Sequence, residues 1–538
     1  MNINENNIIY SKPISEVPNI SLGQYLFNNL YNNPNDIAQI DVETGKRFTR
    51  KEILDKSVRL SIALRNYGIK LEDRISLTSE NHPNYMIAMC GIFFNGITFS
   101  PLNPAYTERE FSHMLKIYQP RVIFVSRRTE KLLVKVASTL SWDIKLIELD
   151  DEALDGNVVT LNVFLEKYGN MVNPCMFTPV QVDDNSKRMA VILCSSGTTG
   201  FPKGVMLSHR NLLVFIQSIR KPSYLYIQQD DRMIIFLPLF HGYAFGMMCI
   251  CICSNTITCL MRDYNTDTLL NSIDKYKITH LPVVPPVLVA ILKHPMLSNY
   301  DFSSVKEILC GALPLPLDIA NELKRRTKVK HIRNGYGMTE LTVVSNLSER
   351  TRKDASIGPP LPGFKCKVVS TETGRTVGPG QVGEICFAGD QIMLGYYKNP
   401  KSTAETIDEG NWLHTGDLGY FTEDGGLYVT GRIKEIIRYK GFQVAPSEIE
   451  TLLLTLPSVK DVAVLGKPDE VSGELPMAVV VRQPGQNVTA EEIVDFVKRN
   501  FSPQKWLRGG VKFVETLPKT PSGKVLRKQL LNIVLSKL

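Results

Sequence analysis

The sequence predicts an α/β protein with a large N-terminal domain and a small α+β C-terminal domain. At 538 residues the chain is longer than one hydrophobic core can fill, so more than one domain is expected. Strand and helix patterns alternate up to about residue 350, which favours parallel-sheet subdomains with crossover helices. From about residue 358 glycines and prolines become dense, which indicates a change of architecture.

The first elements follow this alternation. Lys51–Tyr67 has apolar side chains at the spacing of an amphipathic helix, and Arg74–Thr78 is typical of a strand. Asn84–Pro101 then predicts an apolar helix between turn signals, and Arg121–Ser126 a further strand. Such an order of elements is expected of parallel sheets covered by helices.

The glycine-rich stretch predicts a small, antiparallel, barrel-like region. Its short alternating runs are Phe364–Val369, Gly383–Phe387 and Leu427–Thr430. Beyond it, residues 433–538 again show both helix and strand patterns, which predict a compact unit. Its helical patterns are Ser447–Leu456 and Ala490–Phe501, and its strand patterns are Val462–Leu465 and Met477–Val481. We therefore expect domains over residues 1–431 and 432–538, joined at a hinge near Arg432–Lys434.

The amino-acid composition limits which classes of protein the chain can belong to. Hydrophobic residues make up 43% of the chain and charged residues 22%, as in ordinary globular proteins. The net charge of +8 is spread out, which does not indicate nucleic-acid binding. No apolar run reaches the roughly 18–20 residues of a membrane span. The first residues lack the pattern of a signal peptide, so the ten cysteines are expected to be free thiols in a reducing compartment.

Four cysteines lie close together in the sequence, at positions 249, 251, 253 and 259. Zinc sites space paired ligands by two to four residues and add a second cluster, which this sequence lacks. The neighbouring residues, among them Met247, Ile250 and Ile252, are apolar. We therefore expect buried core cysteines and no metal site there.

The most informative segment is Ser195–Lys203, which reads Ser-Ser-Gly-Thr-Thr-Gly-Phe-Pro-Lys and follows the apolar strand pattern Met189–Cys194. Glycines let a backbone approach a ligand closely, and hydroxyls with one lysine suit a nucleoside triphosphate. Pro202 precedes the lysine, so this is not a Walker A loop. The alternative is a polar turn without function, which a pattern of this length makes the weaker interpretation.

Ser195–Lys203 resembles the phosphate loop of the adenylate-forming superfamily: acyl-CoA synthetases, 4-coumarate:CoA ligases, beetle luciferases and peptide-synthetase adenylation domains. Further segments resemble its other motifs in the expected order, and together they extend from about Lys51 to Arg527. Tyr439–Glu448 narrows the resemblance to the coumarate ligase and luciferase-like branch. The other motifs are Asn334–Glu340 for adenine and magnesium, Trp412–Asp417 for ribose, Gly431–Glu435 for the hinge and Pro521–Lys524 for the catalytic lysine.

The resemblance implies how ATP and Mg²⁺ would be held. Glu340 would bind Mg²⁺, together with Thr199 of the phosphate loop, since this hard cation prefers oxygen ligands. Ribose hydroxyls would donate to Asp417, with Arg432 as a further contact. The β- and γ-phosphates would lie on Ser195, Ser196, Gly197, Thr198, Thr199, Gly200 and Lys203. The adenine would lie among Gly311, Ala312, Asn334, Gly335, Tyr336, Gly337 and Thr339. For Tyr336 a core position, and for Asp417 a turn position, are the alternatives.

The resemblance also implies the acid-activating groups. Lys524 would contact both the α-phosphate and the carboxylate of the substrate, although most lysines are merely solvated surface residues. His241, Tyr243 and Phe245 would line the acyl pocket, with the histidine near the carboxylate. Apolar and aromatic residues there suit an apolar carboxylic acid. The net charge would help to attract anionic ATP and CoA.

For the second half-reaction, the resemblance implies rotation of the small domain about the hinge, at Lys434, so that a different face meets the active site. Arg438, Lys440, Gly441 and Phe442 would lie on that face and serve CoA. Arg438 departs from the lysine common in this branch, and the fork of arginine differs from the point charge of lysine. Gly431 also departs, since luciferases usually carry aspartate before the hinge arginine.

Three functions were weighed. The leading one is an ATP-dependent carboxylate:CoA ligase acting on a fatty or aryl-propenoic acid. The second is a luciferase-type luciferin 4-monooxygenase, which the departures at Gly431 and Arg438 make less favoured. The third is a non-catalytic binding protein or transporter-like relative, which the presence of the phosphate loop, Glu340, Asp417 and Lys524 argues against. Release of pyrophosphate on addition of a carboxylic acid would distinguish an enzyme from a binding protein. Formation of a CoA thioester, as opposed to emission of light, would distinguish the ligase from the luciferase.

The sequence ends Ser536-Lys537-Leu538, which matches the peroxisomal address read by its import receptor. The alternative is simply the end of a basic amphipathic helix over Lys528–Leu538. Activation of an acid as its CoA thioester fits the address, because it precedes peroxisomal oxidation. We therefore expect the import receptor as a partner and the peroxisome as the location.

Overall fold

The structure is a computed structural model that describes residues 2–11, 13–14, 16–195, 202–313, 315–351, 354–440, 442–520 and 523–535. These residues form four sheets with helices packed against them. Two sheets are mainly parallel, one is antiparallel and the fourth belongs to the small C-terminal domain. The α/β fold class predicted from the sequence is confirmed.

The first large sheet has eight strands, and its central strands are parallel. Near one edge, Lys203–Ser208 runs antiparallel to both of its neighbours and forms a hairpin with Met189–Ser195. In spatial order the strands are Gly395–Tyr396, Lys203–Ser208, Met189–Ser195, Thr98–Pro101, Arg74–Thr78, Val122–Val125, Lys145–Glu148 and Val159–Thr160.

The second large sheet also has eight strands, parallel except for the outermost pair at each end. Ligand sites of such sheets lie beyond the carboxyl ends of the strands. In spatial order the strands are Asn346–Leu347, His331–Tyr336, Glu307–Cys310, His280–Val283, Arg232–Ile235, Ile257–Leu260, Ile37–Asp41 and Arg47–Thr49.

The third sheet is antiparallel and corresponds to the predicted glycine-rich region. Two strands from the beginning of the chain extend it, which the sequence analysis did not anticipate. In spatial order the strands are Asn2–Ile3, Ile9–Tyr10, Phe364–Val369, Gly383–Gly389, Leu413–Phe421 and Leu427–Arg432.

The small domain is built on a five-stranded sheet with two long strands, one of which, Gly473–Arg482, pairs with three others. Gly510–Phe513 joins it in parallel to Gly473–Arg482, and the other pairings are antiparallel. The remaining strands are Val459–Asp469, Ile437–Tyr439 and Phe442–Val444. The predicted α+β character of this region is confirmed.

Helices cover the sheets. Several begin at a capping box, as at Thr49 with Glu52 and at Thr489 with Glu492, where the two side chains satisfy free backbone N–H groups reciprocally. The α-helices are Leu22–Tyr31, Arg50–Asn66, Tyr85–Phe94, Glu108–Tyr118, Glu130–Ala137, Leu161–Tyr168, His209–Ile219, Gly242–Cys253, Thr266–Lys275, Pro285–Lys293, Leu317–Thr327, Pro400–Thr406, Pro446–Leu454, Ala490–Asn500 and Arg527–Leu535. Short 3₁₀ turns are Pro174–Met176, Leu297–Asn299, Thr339–Leu341, Ile433–Glu435 and Pro503–Lys505.

One predicted element needs correction. Asn84–Pro101 was expected to be a single apolar helix, but it divides into the helix Tyr85–Phe94 and the strand Thr98–Pro101. Both parts are fully buried, so neither shows the periodicity that distinguishes helix from strand. Gly96, with φ of +63°, turns the chain between them.

The clustered cysteines are buried in the core, as predicted. Cys249, Cys251 and Cys253 lie on the helix Gly242–Cys253, and Cys259 lies on the next strand. Burial raises the pKa of these thiols, so they remain protonated apolar side chains. Among the helices that the structure describes, none combines the length and the apolar character of a membrane span.

Candidate active site

A cavity of about 450 Å³ lies where the two large sheets, the antiparallel sheet and the small domain meet. The second large sheet contributes residues at the carboxyl ends of its strands, where the topology predicts a ligand site. The small domain contributes Lys524. Residues that are distant in the sequence therefore meet in one space.

Ser195 and Lys203 line this cavity from the edge hairpin of the first sheet. They are cross-strand partners, Ser195 as the last residue of one strand and Lys203 as the first residue of the next. The segment between them is the predicted phosphate loop. Five of its predicted ligands, Ser196, Gly197, Thr198, Thr199 and Gly200, lie outside the described residues.

Glu340 lines the cavity from the 3₁₀ turn Thr339–Leu341 and is only 4% exposed. Its Oε1 accepts a hydrogen bond of 2.9 Å from the hydroxyl of Tyr396. Of the described lysine, arginine and histidine side chains, none forms an ion pair with it. A buried carboxylate without a cationic partner fits a divalent cation, and thus the predicted role of Glu340.

The predicted adenine-binding residues lie at the ends of two neighbouring parallel strands. Gly311 and Ala312 follow Glu307–Cys310, and Gly335 and Tyr336 end the adjacent strand. These four residues, with Gly337 and Thr339, line the cavity. Asn334, paired with Cys310 in the sheet, is not among the described lining residues.

Gly337 is required where it stands because the chain folds back closely upon it. A Cβ atom at this position would lie 2.1 Å from the carbonyl oxygen of Val343. Val343 itself has φ of +81°, a conformation that is strained for a β-branched residue. The turn after Tyr336 is therefore held in an unfavourable backbone conformation, and Val343 lines the cavity.

Asp417 is fixed by two partners. Its Oδ2 accepts a 2.7 Å hydrogen bond from the Tyr336 hydroxyl, and its Oδ1 lies 2.9 Å from Nε of Arg432. Burial, together with the negative charge of Asp417, raises the pKa of Tyr336, so the phenol remains a donor. The predicted ribose residues Asp417 and Arg432 thus lie together beside the predicted adenine residue.

Lys524 enters the cavity from a turn of the small domain. Gly523, with φ of +84°, donates to the carbonyl of Thr520, and Lys524 donates its backbone N–H to the Thr520 hydroxyl. Burial lowers the pKa of Lys524, and the positive charge of Arg432 lowers it further. The neighbouring Pro521 and Ser522 lie outside the described residues.

His241 faces the same space at the start of the helix Gly242–Cys253. Burial lowers the pKa of His241 to about 4, and the charge of Lys524 contributes to this effect. The imidazole is therefore neutral near pH 7 and can donate or accept a hydrogen bond without adding charge. It lies beside Phe240, with ring centroids 4.7 Å apart.

Hydrogen bonds link the Lys524 turn to the predicted hinge segment. Arg527, three residues after Lys524, donates to Glu435 over 3.0 Å and to both oxygens of Glu450 over 2.6 and 3.0 Å. Glu435 ends the 3₁₀ turn Ile433–Glu435, which follows the cavity residue Arg432. The lysine turn is thus joined by side-chain contacts to Glu435, beside the predicted hinge.

Part of the cavity wall is apolar, and we call its apolar residues the apolar arm. Tyr243 lines it and donates its hydroxyl to the carbonyl of Leu309 over 2.8 Å. The prediction for Phe245 needs correction, because its fully buried ring packs against Phe93 and Phe99 and it is not among the described residues of the cavity wall. Other apolar residues of this arm are Ile219, Leu225, Leu237, Met247, Val284 and Leu347.

The residues predicted to serve CoA fall into two groups. Lys434 lines the cavity. Arg438, Lys440 and Phe442 lie on a hairpin of the small domain, exposed and not among the described lining residues. Phe442 is 55% exposed, which is unusual for a phenylalanine. Gly441, between them, lies outside the described residues.

A polar cluster that was not predicted from the sequence lies beside the turn at Gly416. It is formed by Glu384, Cys386 and His414, whose possible ligand atoms lie within 4.8 Å of one another. Oε1 of Glu384 accepts a hydrogen bond of 2.9 Å from the backbone N–H of Gly416, and Oε2 of Glu384 lies 2.8 Å from Nδ1 of His414. The carboxylate thereby fixes the turn that precedes Asp417. Tyr396 was also missed.

Two family models match the chain. One describes an AMP-binding enzyme and matches residues 26–397. The other describes the C-terminal domain of AMP-binding enzymes and matches residues 448–524. The matches include the edge hairpin with Lys203, the turn with Glu340 and, in the small domain, Lys524.

Relatives that match over almost their whole length carry the names of two different enzymes. The chain is 34% identical over 539 residues to a luciferin 4-monooxygenase of Luciola mingrelica, covering 98% of both chains. It is 36% identical over 520 residues to 4-coumarate–CoA ligase 1 of Petroselinum crispum, covering 95% of this chain and 93% of the relative.

Solved structures share the fold over nearly the whole length. A red-emitting luciferase of Phrixothrix hirtus has a TM-score of 0.74 at 34% identity, with 98% of both chains covered. An anthranilate CoA ligase in complex with anthranoyl-AMP has a TM-score of 0.87 at 23% identity, with 97% of this chain and 99% of the other covered.

Proposed function

Because the chain belongs to the AMP-binding enzyme family, we propose that it is an acid–thiol ligase, which uses ATP to join a carboxylic acid to CoA. The first half-reaction forms an acyl-adenylate and releases pyrophosphate. The second transfers the acyl group to the thiol of CoA and releases AMP. The reaction class follows from the family, and the roles given below to single residues are our proposals.

The observation that carries the proposal is the meeting of Lys524 with His241, Asp417 and Glu340 in one cavity. In the first half-reaction a carboxylate oxygen attacks the α-phosphorus, and the bond from that phosphorus to pyrophosphate breaks. Both reactants are anions, so cationic groups and fixed positions are what the reaction needs. Lys524 supplies a charge between the two reactants, and Lys203 supplies one beside the departing phosphates.

The nucleoside would be held beside the second large sheet. The adenine lies between Gly311–Ala312 and Tyr336, and the ribose hydroxyls donate to Asp417. Arg432 keeps that carboxylate oriented through an ion pair of 2.9 Å. Mg²⁺ would be held by Glu340 and by Thr199, and when bound it neutralises phosphate charge.

For the acid, we propose a fatty or aryl-propenoic acid. The apolar arm, which includes Leu225, Met247 and Val284, would take the hydrocarbon part. His241, neutral near pH 7, would lie beside the carboxylate and donate a hydrogen bond to it. A charged acid tail would lack a partner among the described residues of this arm.

The second half-reaction would follow rotation of the small domain at Lys434. Lys524 would leave the cavity, and the exposed face with Arg438, Lys440, Gly441 and Phe442 would enter it. The exposure of Phe442 fits a surface that is covered in a second arrangement.

Luciferin 4-monooxygenase activity is the second candidate, because relatives with that name share 34–35% identity with the chain. Adenylation of an acid precedes oxidation in that activity, so the cavity suits both. Gly431 favours the ligase, because luciferases usually carry aspartate before the hinge arginine. A luciferase-like enzyme from the nonluminescent mealworm Zophobas morio is 27% identical, so a fold of this kind also occurs in a nonluminescent organism.

The test is a screen of carboxylic acids by ATP-dependent pyrophosphate release, followed by detection of the CoA thioester. Medium- and long-chain fatty acids and aryl-propenoic acids should include a substrate. Pyrophosphate release without a thioester in the presence of CoA would contradict the ligase. The absence of release with every acid would contradict catalysis altogether.

A further inference from the structure

We propose that Tyr396 is a positioning residue that holds Glu340 and Lys203 in fixed relation to each other; this inference rests on the proposed function. The Tyr396 hydroxyl donates to Oε1 of Glu340 over 2.9 Å. Nζ of Lys203 lies over its ring, 4.8 Å from the ring centroid. One side chain thus contacts both the carboxylate proposed for Mg²⁺ and the lysine proposed for the phosphates.

Tyr396 is itself firmly placed. Its strand Gly395–Tyr396 pairs with the strand that begins at Lys203, with Tyr396 opposite Val205. Its backbone N–H donates to the Thr403 hydroxyl over 2.9 Å, and the residue is 7% exposed. A side chain fixed on both sides can hold its partners with little loss of conformational entropy on ligand binding.

The hydroxyl and the ring act on different partners. A hydrogen bond to a charged acceptor is stronger than one between neutral groups and fixes one oxygen of the carboxylate. The ring attracts the ammonium group through its quadrupole and keeps the lysine from folding onto Glu340. Without the hydroxyl, the Glu340 carboxylate would lose the donor that fixes it and would be free to turn away from the cation. Without the ring as well, the lysine would be free to pair with Glu340 and so be removed from ATP.

Two substitutions separate these contributions. Tyr396→Phe removes the hydroxyl and keeps the ring, whereas Tyr396→Leu removes both. The matched control is Tyr276→Phe, which removes a buried hydroxyl that donates to the carbonyl of Val42, away from the cavity. The melting temperature of each variant shows whether it folds.

The main readout is binding, measured on the full chain without turnover. Mn²⁺ affinity in the presence of a non-hydrolysable ATP analogue is followed by electron paramagnetic resonance, and metal-free affinity for the analogue by calorimetry. We expect Tyr396→Phe to weaken Mn²⁺ binding about tenfold and to leave metal-free analogue binding unchanged. Tyr396→Leu should also weaken metal-free binding, by roughly threefold.

Outcomes of this experiment distinguish the inference from the proposed function. Mn²⁺ affinity of Tyr396→Phe equal to or above that of the wild type and of Tyr276→Phe would overturn the role for Glu340. Metal-free affinity of Tyr396→Leu equal to that of the wild type would overturn the role for Lys203. Wild-type protein that binds the analogue but releases no pyrophosphate with any acid would contradict the proposed function and leave the positioning result standing.

Discussion

Arg432 and Asp417 are paired twice, once through the backbone and once through their side chains. They are partners in the antiparallel register of neighbouring strands, and Nε of Arg432 lies 2.9 Å from Oδ1 of Asp417. The Tyr336 hydroxyl occupies the other carboxylate oxygen. The orientation of Asp417 is therefore set before any ligand binds, as an efficient ribose site requires.

Asp417→Asn should raise the KM for ATP at least tenfold. The amide cannot accept two charge-assisted hydrogen bonds, each of which contributes about 1.5–3 kcal/mol. Pyrophosphate release at varied ATP concentration measures the effect. Asp390→Asn is the control, since Asp390 forms an exposed pair with Arg210 at 2.7 Å. Equal effects of the two substitutions would refute the ribose role.

Lys524→Ala should abolish adenylation and largely spare thioester formation from a supplied acyl-adenylate. The lysine neutralises repulsion between two anions, a requirement of the first half-reaction only. Each half-reaction is measured separately, by pyrophosphate release and by CoA thioester. Lys528→Ala, at an exposed lysine of the following helix, serves as control. A similar loss in both half-reactions would argue against two arrangements of the small domain.

Stability should fall as the pH rises because of a buried carboxyl pair remote from the cavity. Burial, with a hydrogen bond to Glu130, raises the pKa of Glu148 to about 9, whereas the unfolded value is about 4.3. The folded state therefore holds this proton more tightly. Its stabilising contribution is complete below pH of about 4 and is lost as the pH approaches 9.

Glu148→Gln removes this titration and keeps a hydrogen-bonding side chain. Between pH 6 and 9 the wild type should lose up to about 1.4 kcal/mol per pH unit more of its free energy of unfolding than the variant. Urea unfolding at several pH values measures the difference. Glu152→Gln, at a side chain that is 80% exposed, should behave like the wild type. If the free energy of unfolding depended on pH in the same way in all three proteins, the raised pKa of Glu148 would be contradicted.

The purified protein should form a CoA thioester but emit little or no light with beetle luciferin, ATP and oxygen. Gly431 and Arg438 depart from the luciferase pattern at the hinge and in the small domain. Luminescence and thioester yield are compared under the same conditions, with a beetle luciferase as positive control. Strong luminescence, comparable to the ligase rate, would reverse the order of the two candidates.

Peroxisomal location remains a prediction, because residues 536–538 lie outside the described part of the chain. Deletion of Ser536–Leu538 should move the protein to the cytosol without changing its melting temperature or ligase rate. The preceding helix contributes its buried contacts through Leu530 and Val534, which the deletion retains. Import that persists after deletion, in cells without the full-length protein, would show that the signal lies elsewhere.

Local patterns predicted the elements best where one face of a strand or helix differs from the other. Arg74–Thr78 and Phe364–Val369 have the bounds that the sequence predicts. The division of Asn84–Pro101 was invisible because burial on all sides removes the contrast between faces. Phe245 was misplaced for a related reason, since an aromatic residue in an apolar run gives no sign of which cavity or core it faces.

Tyr396, Glu384 and His414 illustrate what the sequence does not reveal. Each acts through a partner that only the tertiary fold brings near: Tyr396 on Glu340, Glu384 and His414 on the turn before Asp417. No short sequence motif predicts such contacts. A tyrosine in a glycine-rich stretch is more often a core residue, so sequence reasoning alone gives it no role.

The cross-strand pairing of Ser195 with Lys203 has a consequence for protein engineering. Successive side chains of a strand point to opposite faces, so inserting or deleting one residue within either strand would turn Lys203 away from the cavity. The parity of residues in the two strands thus determines whether the charge reaches the nucleotide. Grafts from relatives into this hairpin should therefore preserve strand length as well as the predicted phosphate-binding residues of the connecting loop.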